Sequence, residues 1–96
     1  MDEQTILHIH RDAITRIAHR HGVTRVRVFG SIVRGEATPE SDIDLLVETG
    51  PETSAWFPAG LILDLEQLLG RRVEIVTERA LHPAIRDRVL QEARPL

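Results

Sequence analysis

The sequence predicts an α/β or α+β fold in which a small β-sheet of three to four strands packs against helices. An apolar stripe at helical spacing comes first and changes, after Gly22, to alternation of apolar and charged residues. Two more short strand patterns follow, separated by longer stretches of helical period, and this alternation is typical of both fold classes. Because aromatic residues are only 3% of the chain, Ile, Leu, Val and Ala must build the core.

The first half of the chain is predicted to contain one helix and two strands. The helix spans Thr5 to His21 and ends at Gly22. Its apolar stripe consists of Ile6, Ile9, Ala13, Ile14, Ile17 and Ala18. The strands span Val23 to Gly30 and Asp42 to Val47, with a short helical turn and a polar loop between them.

The second half is predicted to contain a helix, a strand and a last helix. The first helix has Pro58 in its opening turn and runs to Leu69, the strand spans Arg72 to Val76, and the last helix spans Leu81 to Ala93. The expected inward-facing residues are Leu61, Ile62, Leu65, Leu68 and Leu69 in the first helix and Ile85, Val89 and Leu90 in the second.

Length and composition limit the possible functions. The 96 residues suit one domain, over 1–96, and are too few for two. A formal net charge of -3 argues against general binding to nucleic acid. The absence of Cys excludes disulfides, thiolate metal sites and Cys nucleophiles. There is no apolar run of about 18 residues and no signal-peptide pattern, so the expected compartment is the cytoplasm.

Two carboxylates, Asp42 and Asp44, lie at the start of the second predicted strand. Residues two apart on a strand share a face, with Cα atoms roughly 6.5–7 Å apart, while Ile43 between them faces the core. Ionised carboxylates on one face repel each other, and Mg²⁺, which favours carboxylate oxygens together with phosphates, removes that repulsion. A strand end whose Asp side chains simply face water has the same pattern, so both interpretations stay open.

The dipeptide Gly30-Ser31 closes a predicted strand and opens a helical turn. This arrangement can cradle phosphate on backbone N–H groups, with the Ser hydroxyl as a further donor. Arg34 lies one turn later, and its planar guanidinium suits phosphate. A plain turn with a solvent-facing Arg is the alternative.

Glu74 lies on the third predicted strand, where Val73 and Ile75 face the opposite side. If this strand pairs beside the strand that begins at Asp42, then Glu74 joins the two Asp residues. Its expected role is general base for an incoming hydroxyl or partial metal ligand. An exposed strand Glu with no such role is the alternative.

Taken together, these motifs resemble the nucleotidyltransferase superfamily typified by DNA polymerase beta and kanamycin nucleotidyltransferase. The pattern of that superfamily is Gly-Ser, a spacer, and Asp-x-Asp, and it is matched by Gly30-Ser31, residues 32–41 and Asp42-Ile43-Asp44. The fuller strings FGSIVRG and SDIDLLV resemble the minimal nucleotidyltransferase (MNT) branch, and the likeness covers nearly the whole chain.

The resemblance implies a polymerase beta-like fold with a mixed sheet, ATP as substrate and two Mg²⁺ ions. The implied catalytic and metal-binding residues are Asp42, Asp44 and Glu74. The nucleotide-binding residues are Gly30, Ser31, Arg34 and Ser41. Family members usually have a third Asp where this chain has Glu74, which is one methylene longer and could move the base out of line.

The resemblance also implies a partner. Minimal nucleotidyltransferases often act as antitoxins that adenylylate a Tyr of a HEPN-family RNase toxin. Trp56 and Phe57 are candidate contacts for such a partner, although in a chain so short of aromatic residues at least one of them is expected to cap the core. Two alternatives remain: a catalytically weak antitoxin that binds its toxin without modifying it, and a nucleotidyltransferase for a small molecule such as an aminoglycoside.

Two other groups of residues are not assigned a function. The five His residues include no pair at a spacing of three or four, so a His metal site is not predicted. The Arg residues crowded in the last third are expected to form a solvated helix face, paired locally with Glu78, Asp87 and Glu92.

Overall fold

Four strands form one mixed sheet with helices on both faces. The computed structural model describes residues 2–96. The strands are β1 (Val23–Phe29), β2 (Ile43–Thr49), β3 (Val73–Thr77) and β4 (Arg94–Pro95), in the order β3-β2-β1-β4. The helices are α1 (Glu3–Ile9), α2 (Arg11–Arg20), α3 (Ser31–Arg34), α4 (Ala59–Leu69) and α5 (Pro83–Glu92), with a 3₁₀ turn at Glu78–Ala80. β1 runs antiparallel to β2 and β4, whereas β2 and β3 are parallel, so the predicted mixed sheet and fold class are confirmed.

The two faces of the sheet are covered unequally. Side chains alternate across a strand, and Ile43, Leu45 and Val47 of β2 face the main core, which α1, α2 and α4 complete. The other face has a smaller apolar cluster in which Leu46 packs against Val89 of α5. Residues of β2 on the same face as Leu46 therefore lie on the side of α5. Asp44, two residues before Leu46, lies beyond this small cluster and is only partly buried.

The predicted first helix is interrupted at His10, which has φ -94° and ψ 7° and separates α1 from α2. The apolar stripe predicted for one helix therefore does not continue unchanged across the break. As a result Leu7, outside the predicted stripe, is buried, whereas Ile9, inside it, is 57% exposed. The single-helix prediction is therefore wrong at this point, because a continuous 3.6-residue period cannot describe two helix axes.

The predicted elements of the second half are present, with shifts of one or two residues. Val89 is buried as predicted, but Ile85 is 39% exposed, and Leu81 before the helix is buried in its place. The short edge strand β4 is not predicted at all. Two residues that include a Pro carry no strand pattern, and β4 exists because Arg94 and Pro95 pair with β1.

His21 joins three parts of the main-core side. Its Nδ1 lies 2.6 Å from the hydroxyl of Ser54, and its Nε2 lies 2.7 Å from a carboxylate oxygen of Asp64 on α4. These contacts link the end of α2 to α4 and to the loop before it. Among residues 2–96, no helix has both the length and the apolar character that crossing a membrane requires.

Candidate active site

Asp44 and Glu74 are direct neighbours in the sheet. The parallel pairing of β2 with β3 places these two residues in register, and the antiparallel pairing with β1 places Phe29 on the other side of Asp44. Both carboxylates lie on the face that α5 partly covers, at the starts of their strands. The structure therefore brings Glu74 to Asp44, as the sequence predicts for paired strands.

The Asp44 carboxyl is crowded by negative charge. Burial, the facing Glu74 carboxyl and the charge of Asp42 raise the pKa of Asp44 to about 7, and the positive charge of Arg34 offsets only part of this effect. A carboxyl in this state binds either a proton or a cation. The structure thus places the partly buried carboxyl of Asp44 beside the exposed carboxyl of Glu74, an arrangement that suits a divalent cation.

Asp42 has a charged partner within the chain. β2 begins at Ile43, so Asp42 precedes the strand, and its carboxylate accepts a hydrogen bond of 3.1 Å from Nε of Arg72. In the part of the chain that the structure describes, no three His, Cys, Asp or Glu side chains are gathered as ligands for a metal ion. The Asp42 carboxylate is instead engaged by Arg72 in an exposed ion pair, and its charge still acts on Asp44.

The turn at Gly30 brings the backbone against Asp44. Gly30 has φ 79° and ψ -151°, a conformation that L-residues avoid. A Cβ atom at this position would collide with a carboxylate oxygen of Asp44. α3 begins at Ser31, as predicted. The Gly-Ser turn and the carboxyl pair therefore belong to one site, and only glycine permits the close approach.

Arg34 lies on the same site but is held by carboxylates of the chain itself. Its Nη1 donates a hydrogen bond of 2.8 Å to Glu92, and its Nε donates one of 3.3 Å to Glu36. The second oxygen of Glu92 accepts a hydrogen bond of 2.7 Å from the backbone N–H of Gly30. Glu92 was expected to pair locally with Arg residues of the last third, and that prediction is wrong. No feature of the sequence places it 62 residues away on the Gly-Ser turn.

Ser41, a predicted nucleotide-binding residue, makes a contact within the chain. The hydroxyl of Ser41 accepts a hydrogen bond of 2.9 Å from the backbone N–H of Thr38, so it stabilises the loop before β2.

Phe57 packs against the main core, whereas Trp56 is 79% exposed. The expectation that one of the two aromatic residues caps the core is met by Phe57.

The Arg residues of the last third make both local and distant pairs. Arg86 pairs with Glu78 at 3.8 Å, as expected for a local contact, but Glu78 also binds Arg27 of β1 at 3.1 Å. Arg71 reaches Glu3 of α1 at 3.3 Å. These residues therefore connect elements as well as forming a solvated surface.

Comparison with known proteins identifies the family. A profile of the nucleotidyltransferase domain matches residues 10–96, and the chain belongs to the nucleotidyltransferase domain family. A solved structure of a proposed minimal nucleotidyltransferase is 51% identical in sequence, covers 100% of this chain and 97% of its own, and superposes with a TM-score of 0.84. The predicted minimal nucleotidyltransferase fold is therefore confirmed.

Two curated relatives are more specific. A proposed protein adenylyltransferase of Methanocaldococcus jannaschii is 42% identical over 83% of this chain and 86% of its own. The protein adenylyltransferase MntA of Thermococcus cleftensis is 39% identical over 93% of this chain and 87% of its own. The predicted enzyme class, a nucleotidyltransferase of the protein adenylyltransferase type, is confirmed by these relatives.

Toxin–antitoxin complexes share the fold at lower identity. One that contains AMP-PNP is 20% identical, covers 88% of this chain and 69% of its own, and has a TM-score of 0.72. A solved MntA–HepT toxin–antitoxin complex, which shares the name MntA with the Thermococcus cleftensis protein, is 17% identical, covers 91% of this chain and 68% of its own, and has a TM-score of 0.66. At this level of identity these complexes support the shared fold.

Proposed function

We propose that the chain transfers AMP from ATP to a Tyr hydroxyl of a partner HEPN-family RNase toxin and thereby acts as an antitoxin. In this proposal residues 1–96 form one minimal nucleotidyltransferase domain that works in the cytoplasm, where ATP and the RNA targets of such a toxin are found. The observation that carries the proposal is the meeting of Asp44 and Glu74 beside the turn at Gly30.

The carboxyl groups fit a divalent cation. Burial and the facing Glu74 carboxyl raise the pKa of Asp44, so a second negative charge is disfavoured there without a cation, and Mg²⁺ takes carboxylate oxygens together with phosphates. Asp42, Asp44 and Glu74 would hold two Mg²⁺ ions, with Asp42 leaving its exposed contact with Arg72. When bound, Mg²⁺ neutralises charge on the phosphates and holds them in place.

The residues of the chain itself supply positioning and proton transfer. The Gly30 and Ser31 turn and the guanidinium of Arg34 would hold the phosphates, with Ser41 as a further predicted contact that must first leave Thr38. The acceptor oxygen forms a bond to the α-phosphorus, the bond from that phosphorus to the β-bridging oxygen breaks, and pyrophosphate leaves. The proton of the acceptor hydroxyl passes to the carboxylate of Glu74.

The acceptor is proposed to come from another protein because the site is shallow and open. The carboxyl pair lies on a face of the sheet that α5 covers in part. Trp56 is exposed to 79% and is the aromatic residue available for a partner contact. Binding to nucleic acid is not part of the proposal, given the net charge of -3.

The test is transfer of radioactive label. The protein is incubated with ATP labelled at the α-phosphate, Mg²⁺ and the protein encoded by the adjacent gene, and the products are separated on a denaturing gel. Label should appear on the partner, and Asp42→Asn and Asp44→Asn should each remove it. Glu48→Gln, which lies on the same strand in an exposed pair with Arg25, is the matched control and should retain transfer. Full transfer by both Asp variants would refute the mechanism.

The second candidate is an antitoxin that acts by binding alone. Two observations favour it: Glu74 replaces the usual Asp, and in the described part of the chain Asp42 is not gathered with Asp44 and Glu74. It predicts that Asp44→Asn still forms a complex with the toxin and still blocks RNA cleavage. No observation favours a small-molecule acceptor, and an aminoglycoside tested in the same assay should remain unlabelled.

A further inference from the structure

The carboxylate of Glu92, the last residue of α5, binds two groups of the proposed nucleotide site at once. Its Oε2 accepts a hydrogen bond of 2.7 Å from the backbone N–H of Gly30. Its Oε1 accepts a hydrogen bond of 2.8 Å from Nη1 of Arg34, and the Glu92 side chain is only 12% exposed. One carboxylate therefore spans a backbone donor and a guanidinium donor.

Carboxylate and phosphate are recognised by the same donors. Guanidinium and backbone N–H groups bind either anion through short, charge-assisted hydrogen bonds. Burial alone would raise the pKa of Glu92, but the hydrogen bonds from Arg34 and Gly30 outweigh it and keep that pKa below its ordinary value. Glu92 is therefore an anion at neutral pH, held where donors suited to phosphate converge.

We infer that Glu92 occupies part of the triphosphate site and must release Gly30 and Arg34 before the nucleotide binds fully, so that it sets the affinity for nucleotide. This inference rests on the proposed function, because that proposal assigns Gly30 and Arg34 to the phosphates. It adds a residue to the site that no motif contains.

The surroundings of Glu92 allow this release. α5 ends at Glu92, the backbone at Ala93 is extended, and β4 behind it has only two residues on the edge of the sheet. Arg88 lies one helical turn earlier, and its charge also contributes to lowering the pKa of Glu92. A carboxylate that leaves Arg34 is within reach of Arg88, which lies at the i, i+4 spacing on the same helix.

Removing the charge of Glu92 should strengthen nucleotide binding. Glu92→Gln has nearly the same shape but is neutral, so it competes less well for Arg34 and repels the phosphates less. We expect the dissociation constant for Mg²⁺–AMP-PNP to fall about tenfold, the change that corresponds to losing one competing charge-assisted hydrogen bond. Glu36→Gln removes the other carboxylate on Arg34, which is exposed and does not touch Gly30, and is the matched control. Its effect should stay below about twofold.

The experiment is calorimetric titration of the full chain with Mg²⁺–AMP-PNP, for the wild type and both variants. An unchanged dissociation constant in Glu92→Gln would overturn the inference and leave the nucleotide site standing. A higher dissociation constant in Glu92→Gln would also overturn the inference, because Glu92 would then help to position Gly30 and Arg34 for the nucleotide. If no variant and no wild-type protein binds the nucleotide, the proposed site itself is wrong.

A measurement on the wild-type protein avoids any dependence on how the variant folds. The ¹³C resonance of the Glu92 carboxyl should move as Mg²⁺–AMP-PNP is added, because the carboxylate exchanges its donors for new surroundings. A resonance that stays in place while the Ser31 amide responds to nucleotide would overturn the inference.

Discussion

Replacing Asp44 with Asn should stabilise the metal-free protein at alkaline pH while it abolishes nucleotide transfer. In the folded protein, burial and the facing Glu74 carboxyl raise the pKa of Asp44 from 3.8 to about 7. A carboxyl whose pKa is raised on folding stabilises the fold fully at pH values below its unfolded pKa. That stabilisation is lost as the pH rises through 7, since the charged form is then forced into the crowded site. Asn resembles the neutral carboxyl and does not suffer this loss.

The size of the effect follows from the shift in pKa. About three units at roughly 1.4 kcal/mol each give a ceiling of about 4 kcal/mol. The carboxyl is partly open to water, and solvent screening reduces the expected gain to about 1–2 kcal/mol at pH values near 8. At pH values near 4 the difference should largely disappear, because Asp44 is protonated in the wild-type protein as well.

The assay is urea unfolding of the two proteins in EDTA, followed by far-UV circular dichroism, at both pH values. Glu48→Gln on the same strand serves as the control and should change the free energy of unfolding by less than about 0.5 kcal/mol. Added Mg²⁺ should stabilise the wild type and not Asp44→Asn, because only the wild type offers the carboxylate that binds it. Equal or lower stability of Asp44→Asn near pH 8 would refute the view that this carboxyl is crowded by negative charge.

Three other substitutions test separate contacts. Gly30→Ala should abolish transfer and cost about 1–2 kcal/mol of stability, because the added Cβ meets the Asp44 carboxylate and φ is positive at this position. Near-normal transfer at normal stability would contradict this prediction. Arg72→Gln should free Asp42 and lower the Mg²⁺ concentration for half-maximal transfer by about twofold. Because the Arg72–Asp42 pair is exposed, the free energy of unfolding should stay within about 0.5 kcal/mol of the wild type. A higher Mg²⁺ requirement would mean that Arg72 supports the site. His21→Ala should lower the free energy of unfolding in urea by about 1–3 kcal/mol. Transfer of AMP per folded molecule should keep the wild-type rate, because the contacts of His21 lie on the main-core side. A loss of rate without a loss of stability would show that His21 is linked to the site.

The local pattern of the chain was enough to predict most elements. Alternation along β1 and the helical stripe of α4 are strong periodic signals, and both elements formed close to their predicted bounds. The break at His10 and the edge strand β4 were not predicted. No Gly or Pro marks the break at His10 in the sequence, and β4 depends on a partner strand far away in the sequence.

The candidate site likewise contains residues that the sequence indicates and one, Glu92, that it does not. Gly30-Ser31 and Asp42-Ile43-Asp44 stand out because such residues at this spacing have few other uses, and the family they indicate is confirmed. Glu92 does not stand out, because a Glu near the end of an Arg-rich helix is ordinary in any sequence.

The fold class, the enzyme family and the short motifs that carry chemistry can all be read from the sequence, because periodicity and motif spacing are local properties of the chain. Only the tertiary structure decided how those motifs meet. Parallel pairing puts Glu74 beside Asp44, where burial and the facing carboxyl together raise the pKa of Asp44. The packing of α5 on the sheet delivers a carboxylate to the donors of Gly30 and Arg34. Both are contacts between residues far apart in the chain, and their geometry exists only once the sheet and its covering helix have formed.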